Sequence, residues 1–186
     1  MEKVDLPEGS KGPWRIERFT TDRQDWSALK ARRAVPIGET FTRLFRGQTL
    51  VMSDTPAELE DFRAALHMAR GHCLINGLGL GAVLKAVLLR PEVTAVTVVE
   101  ISQDLIDLVG QHYTSDPRVR IVCADAFKYK PPKGERYQMV WHDIWDDICS
   151  DNLEGMTRLH RKYARRCDWQ ESWCRYECRA ARRRGI

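Results

Sequence analysis

The sequence has no apolar run long enough to cross a bilayer, no Cys-x-x-Cys pair, and no internal repeat or low-complexity tract. A spanning helix takes about 20 consecutive apolar residues, so no membrane partner is expected. The opening Met-Glu-Lys-Val-Asp-Leu-Pro holds no apolar core of a secretory leader, and a cytoplasmic location is expected. The six cysteines would there be mostly reduced. Cys73 and Cys123 sit in apolar, strand-like runs and read as small buried hydrophobes. Without paired cysteines the usual scaffold of a tetrahedral site is missing, and no metal is expected.

What is present is a chain of 186 residues, 43% hydrophobic, enough for one domain with one core. The net charge of +4 is unevenly spread. From Met156 onward there are ten Lys/Arg against three acids, so a slightly acidic body carries a basic tail. Three parts are expected within the single domain: an N-terminal extension and hairpin (1–55), an α/β core (56–150) and a helical tail (151–186).

Residues 1–35 are polar and read as loosely structured, with short strands around Trp14–Phe19. Residues 39–52 predict a hairpin that turns at Arg46-Gly47-Gln48. Thr55, Pro56 and Glu58 read as the capped start of a helix with Leu59, Phe62, Ala65, Leu66 and Ala69 on its apolar stripe. Strands then alternate with helices: strand 73–76, helix 82–89, strand 95–100, helix 103–113, strands 119–123 and 138–141. Near-continuous apolar strands in that alternation predict a mostly parallel, Rossmann-like sheet covered on both faces. No strand is expected after Trp141. Residues 151–183 predict a last helix, with His160, Cys167, Cys174 and Cys178 roughly on one face and Trp169, Trp173 and Tyr176 docking it.

Four stretches carry chemistry. Asn76-Gly77-Leu78-Gly79-Leu80-Gly81 joins a strand to a helix, where glycines permit a sharp turn and close approach of a ligand. Glu100 ends the next strand, about twenty residues on, where an acid accepts ribose hydroxyls; Ser102 and Asp104 are better placed to cap the following helix. Ile101 follows Glu100 at the same edge. Asp125 and Ala126 leave the third strand, Asp125 to accept from an adenine amino group. His142, Asp143 and Asp146 leave the fourth, as base, amine-binding acid or metal ligand.

In that order these markers resemble the class I S-adenosylmethionine-dependent methyltransferases over about residues 72–147. The hairpin and helix before the core, and the Asp143-x-x-Asp146 spacing, resemble the spermidine synthase branch of that fold. Glu58 and Leu59 depart from the aromatic and His or Gln of that branch. The resemblance implies S-adenosylmethionine as cofactor, bound by Asn76, Gly77, Gly79, Gly81, Glu100, Ile101, Asp125, Ala126 and Asp143. It implies methyl transfer to an unidentified acceptor, small molecule or macromolecule, with Asp143, His142 and Asp146 as catalytic residues. Family members continue for three further strands, so a truncated sheet is expected, its edge covered by the basic helix or by a second copy of the chain. Aminopropyl transfer with Asp143 and Asp146 holding the amine stays open. So does a catalytically inactive protein that engages nucleotide, or nucleic acid through the basic tail. Gly77-x-Gly79-x-x-Ala82 also fits a nicotinamide-dinucleotide turn.

Overall fold

A computed structural model of the chain describes residues 2–21 and 36–185; the expectation for residues 22–35 lies outside the described residues. The chain opens with a four-stranded antiparallel sheet of sequential order: β1 (Gly9–Lys11), β2 (Trp14–Thr20), β3 (Thr40–Arg46) and β4 (Thr49–Ser53). β2 alternates, with Trp14 and Ile16 buried and Arg15 and Glu17 facing outward, where Glu17 pairs with Arg15 and Arg43. β3 and β4 are the expected hairpin, and Gly47 takes the positive φ of its turn (60°). The segment before it is more regular than its polar composition suggests, because β2 pairs along its whole length with β3.

The helix expected after this sheet is two short ones, α1 (Pro56–Asp61) and α2 (Arg63–Met68), broken where Phe62 leaves helical geometry. The capping box does not form. Thr55 makes no side-chain cap bond, and the Glu58 carboxylate turns back to accept from the Ser53 N–H (2.7 Å) and hydroxyl (2.9 Å). Leu59, Phe62, Ala65 and Ala69 are buried as their spacing predicts.

The second sheet has five parallel strands in the order β7-β6-β5-β8-β9, formed by β5 (Gly71–Asn76), β6 (Val93–Glu100), β7 (Val119–Cys123), β8 (Tyr137–His142) and β9 (Cys167–Ser172). The connecting helices are α3 (Ala82–Leu88), α4 (Gln103–Val109) and α5 (Asn152–Tyr163), and α6 (Arg175–Arg184) follows β9. Ser102 caps α4 as expected, its hydroxyl accepting from the Leu105 N–H. Strict alternation divides the sheet between two cores. Cys73, Ile75, Val96, Val98, Met139 and Trp141 face α3, α4 and the N-terminal sheet. Leu74, Val99 and Val140 face α5, against Leu159 and Tyr163. Each such Leu or Val, fully buried, contributes about 1.5–3 kcal/mol.

β9 corrects the expectation that only helix follows Trp141. Cys-Asp-Trp-Gln-Glu-Ser is a half-buried edge strand, parallel to β8 from Tyr137↔Cys167 to His142↔Ser172. Its charged residues suit an edge, while its Trp169 and, just beyond the strand, Trp173 pack against the main core. Tyr176, expected to dock, is exposed. His160, Cys167, Cys174 and Cys178 therefore belong to a helix, a strand, a turn and a second helix, not to one helical face. Cys73 is buried, and burial pushes its thiol up to about 11. Cys123 is exposed at the end of β7, contrary to expectation.

Candidate functional site

A parallel sheet leaves a crevice beyond the carboxyl ends of its strands. Here that crevice is a cavity of about 330 Å³ between the central sheet and the N-terminal sheet. Gly77, Leu78 and Gly79 form its floor. Gly77 has a φ of 99°, and a Cβ there would lie 1.8 Å from the Asp143 carbonyl oxygen, so only glycine lets the ends of β5 and β8 approach this closely. The Asp143 N–H donates to the Asn76 carbonyl across the same gap (2.8 Å). Gly81 serves a different purpose. It lies outside the cavity, starts α3 at a φ of 72°, and makes room for the Tyr113 ring, whose hydroxyl donates to the Leu80 carbonyl (3.0 Å).

Glu100 ends β6 facing the cavity. Its two carboxylate oxygens accept from the Leu78 N–H (3.0 Å) and the Ser102 N–H (2.8 Å). These bonds fix the carboxylate between the glycine turn and α4, and each oxygen keeps a further lone pair for a ligand. Ile101, next in sequence, lines the cavity with its side chain largely exposed (69%). A large apolar side chain held open at a cavity rim suits the face of a flat ring. Asp125, Ala126 and Phe127 continue that wall, with one Asp125 oxygen accepting from the Phe127 N–H (2.8 Å).

Asp143 and Asp146 close the other end. Burial pushes the Asp143 carboxyl up to about 7; the nearby Glu58, Asp61 and Asp146 add to the shift, and the Trp141 indole N–H opposes it. Asp146 pairs with Arg46 from the tip of β3, which ties the N-terminal hairpin to the loop after β8. Arg46 also lies over the Trp14 ring, 5.7 Å from its centre. Sequence reasoning missed Trp14, Arg46, Met52, Glu58 and Trp173 as cavity residues. No local pattern marks them, since they arrive by the docking of one sheet on another and by β9, which leads directly into Trp173.

His142 and Asn76 are not in this cavity, which corrects their expected roles. They sit opposite each other in the β5–β8 register, on the face turned toward α5, and both are fully buried. The Asn76 amide donates to His142 Nδ1 (2.8 Å), and His142 Nε2 donates to the Gln170 amide oxygen (3.2 Å). Burial pushes His142 down to about 3, so it stays neutral. It is a polar tie across β5, β8 and β9, one residue out of phase with the cavity-facing Asp143. Among the described residues no group of three or more His, Cys, Asp or Glu could hold a metal ion.

No family model matches the sequence. The fold is similar to that of the spermidine synthase from Thermotoga maritima, at 15% identity and a TM-score of 0.57, over 96% of this chain and 61% of that one. The 23S rRNA methyltransferase ErmE is similar over 61% of this chain and 44% of that one, at 19% identity and a TM-score of 0.47. N-methyltransferase NodS from Bradyrhizobium japonicum WM9, in complex with S-adenosyl-L-homocysteine, is similar over 55% of this chain and 49% of that one, at 18% identity and a TM-score of 0.41. The chain spans less than two thirds of the length of each. The match to spermidine synthase extends over nearly the whole chain. The chain has a Rossmann-like α/β fold similar to that of spermidine synthase, a parallel sheet preceded by an antiparallel one.

Proposed function

We propose that the cavity binds S-adenosylmethionine and that the protein transfers its methyl group to an acceptor entering beside Asp143. One observation carries this reading: Gly77, Gly79, Glu100, Ile101, Asp125 and Asp143, which come from four strand ends, line a single cavity. The donor set fits the cofactor, with a fixed carboxylate for ribose hydroxyls, an exposed apolar rim for the adenine face, and an acid at each end. When bound, the cofactor supplies an electrophilic methyl on a sulfonium; the acceptor's lone pair forms the new bond to carbon and the old bond's electrons pass to sulfur. The protein's own residues hold and orient. Glu100 and the Gly77–Gly79 backbone fix the ligand's position, and Trp145 and Trp173 exclude water. Asp143, poised near neutrality, takes the proton that an N–H or O–H acceptor releases. Calorimetric titration with S-adenosylmethionine and S-adenosylhomocysteine tests the reading. Saturable binding in roughly the micromolar range, about −8 kcal/mol, is expected. Silence at millimolar ligand contradicts it.

A second reading has a specific observation behind it. Glu58, Asp143 and Asp146 line the same end of the cavity, an environment suited to a cationic amine, as aminopropyl transfer requires. Arg46 neutralises Asp146, which weighs against it. Putrescine raising the melting temperature only in the presence of decarboxylated S-adenosylmethionine would favour this reading; no response to either excludes it.

A further inference from the structure

Beside the cofactor cavity, sharing Phe127 with it, lies a second and more open one of about 470 Å³. It is lined by Phe127, Lys128, Tyr129, Lys130, Arg158 and Lys162: two aromatic rings and four cations, with no acid. The local backbone explains how they meet. After β7 the chain turns tightly on the Asp125 carbonyl, which accepts from the Lys128 and Tyr129 N–H groups (2.9 and 2.8 Å). Lys162 of α5 donates to the Ala126 carbonyl (2.7 Å), which pins the helix against that turn. Arg158, one helical turn earlier, lies over the Phe127 ring, 4.9 Å from its centre.

The charges here are handled differently from those of the N-terminal part of the chain. There Lys3, Lys11, Arg15, Arg43 and Arg46 each have a carboxylate partner. Around this cavity only Lys128 has one, Asp125 at 3.7 Å, and its own side chain is 84% exposed. Among the described residues, Lys130, Arg158 and Lys162 form no ion pair with a described acid, and neither do Arg161 and Arg165. Arg158, Arg161, Lys162 and Arg165 fall at i, i+3, i+4 and i+7, so one face of α5 and the turn beyond it carry the positive charge out of the cavity. Burial lowers the Lys162 ammonium, with Asp125 pulling the other way and Arg158 adding a smaller push downward.

We infer that this cleft and the α5 face bind single-stranded nucleic acid, with a base stacked on Tyr129 and phosphates held by Lys130, Arg158, Arg161 and Lys162. Unpaired cations following a line, interleaved with aromatic faces, are what an unpaired strand requires: stacking is tolerant of sequence, and the cations track the backbone. The basic character expected of the C-terminal tail thus acts mainly through α5. In α6, Arg175 is directed inward to His160 and Glu171, and Arg183 lies near the Tyr176 ring. The inference does not depend on methyl transfer.

Fluorescence anisotropy with a labelled single-stranded 12-mer, in DNA and RNA versions, tests it on the whole protein. Binding at low salt is expected. The double variant Lys130→Glu/Arg158→Glu should weaken it about tenfold or more and flatten the salt dependence by about 0.7 for each phosphate no longer neutralised. Tyr129→Ala should weaken it about fivefold or more. Arg182→Glu/Arg183→Glu on α6 should change it by less than about twofold. Melting curves on the same variants report whether they fold, and cofactor calorimetry separates this site from the cofactor site: it should be unchanged by Lys130→Glu alone, since Lys130 lies outside the cofactor cavity. The inference is overturned by no binding at low salt, by the α5 variant binding like the unaltered protein, or by a duplex of the same sequence binding equally well.

Discussion

At Asp143 burial and three neighbouring acids hold a proton on the carboxyl up to about pH 7, where an unfolded chain releases it near 3.8. Between those values the folded state binds more protons than the unfolded state, so this residue costs stability progressively as pH rises from about 4 to 7, and fully above 7. Asp143→Asn should therefore melt higher than the unaltered protein at pH 8 and show no gain at pH 4. If the carboxylate takes the acceptor's proton, the same variant loses the limb of the rate profile that rises near pH 7. Melting curves at the two pH values check the first statement; a variant that loses stability equally at both contradicts it. Glu100 predicts a different outcome. Glu100→Gln removes the charge and one of the two backbone N–H bonds that the carboxylate accepts, so calorimetry should show at least about tenfold weaker cofactor binding and the melting temperature should fall. Gly77→Ala combines a left-handed φ with contact against backbone, and should cost about 1–3 kcal/mol or more in urea unfolding.

β5, β6 and β8 announce themselves as runs of apolar residues, because a parallel strand covered on both faces has no polar side to show. β9 does not. An edge strand needs only half its residues buried, and Cys-Asp-Trp-Gln-Glu-Ser fits a helix pattern as well as a strand. Its placement comes from partners distant in sequence: Gln170 on His142, and the Trp173 N–H on the His142 carbonyl (2.9 Å). The same distinction applies to the site. Glu100, Ile101, Asp125 and Asp143 were legible because strand ends in this fold converge on one edge. Asn76 and His142 were misplaced because strand parity puts them on the opposite face. Trp14, Arg46 and Glu58 were illegible because only sheet docking brings them in. The His142 tie has a consequence for pH. Its folded form accepts a proton only near pH 3, while the unfolded chain takes one near 6.5, so this residue costs stability as pH drops through that interval. Asp143 acts in the opposite sense over the same range, so the difference is the test: as pH drops from 7 to about 4.5, His142→Gln should gain melting temperature relative to the unaltered protein. Equal slopes would contradict the role assigned to the tie.

The two sheets share one core: Leu6, Trp14, Ile16 and Leu44 of the N-terminal part pack with Cys73, Ile75, Val96 and Trp141. Polar bonds add to the join, including the Trp14 indole N–H to the Ser102 hydroxyl (2.8 Å) and Lys11 to Asp107 (2.6 Å). A shared core makes the molecule one cooperative unit, so urea unfolding followed by tryptophan fluorescence and by far-ultraviolet circular dichroism should coincide; two separated transitions would show that the sheets are independent. The cavity exists only in that joined state, with the central sheet as floor and the N-terminal sheet as roof. The most direct test of the central claim is the electron density from crystals grown with S-adenosylhomocysteine. The account predicts the ligand in this cavity, its ribose hydroxyls on Glu100, its adenine against Ile101 and beside Asp125, and its sulfur directed toward Asp143. Density elsewhere, or a cavity without the ligand at saturating concentration, would contradict it.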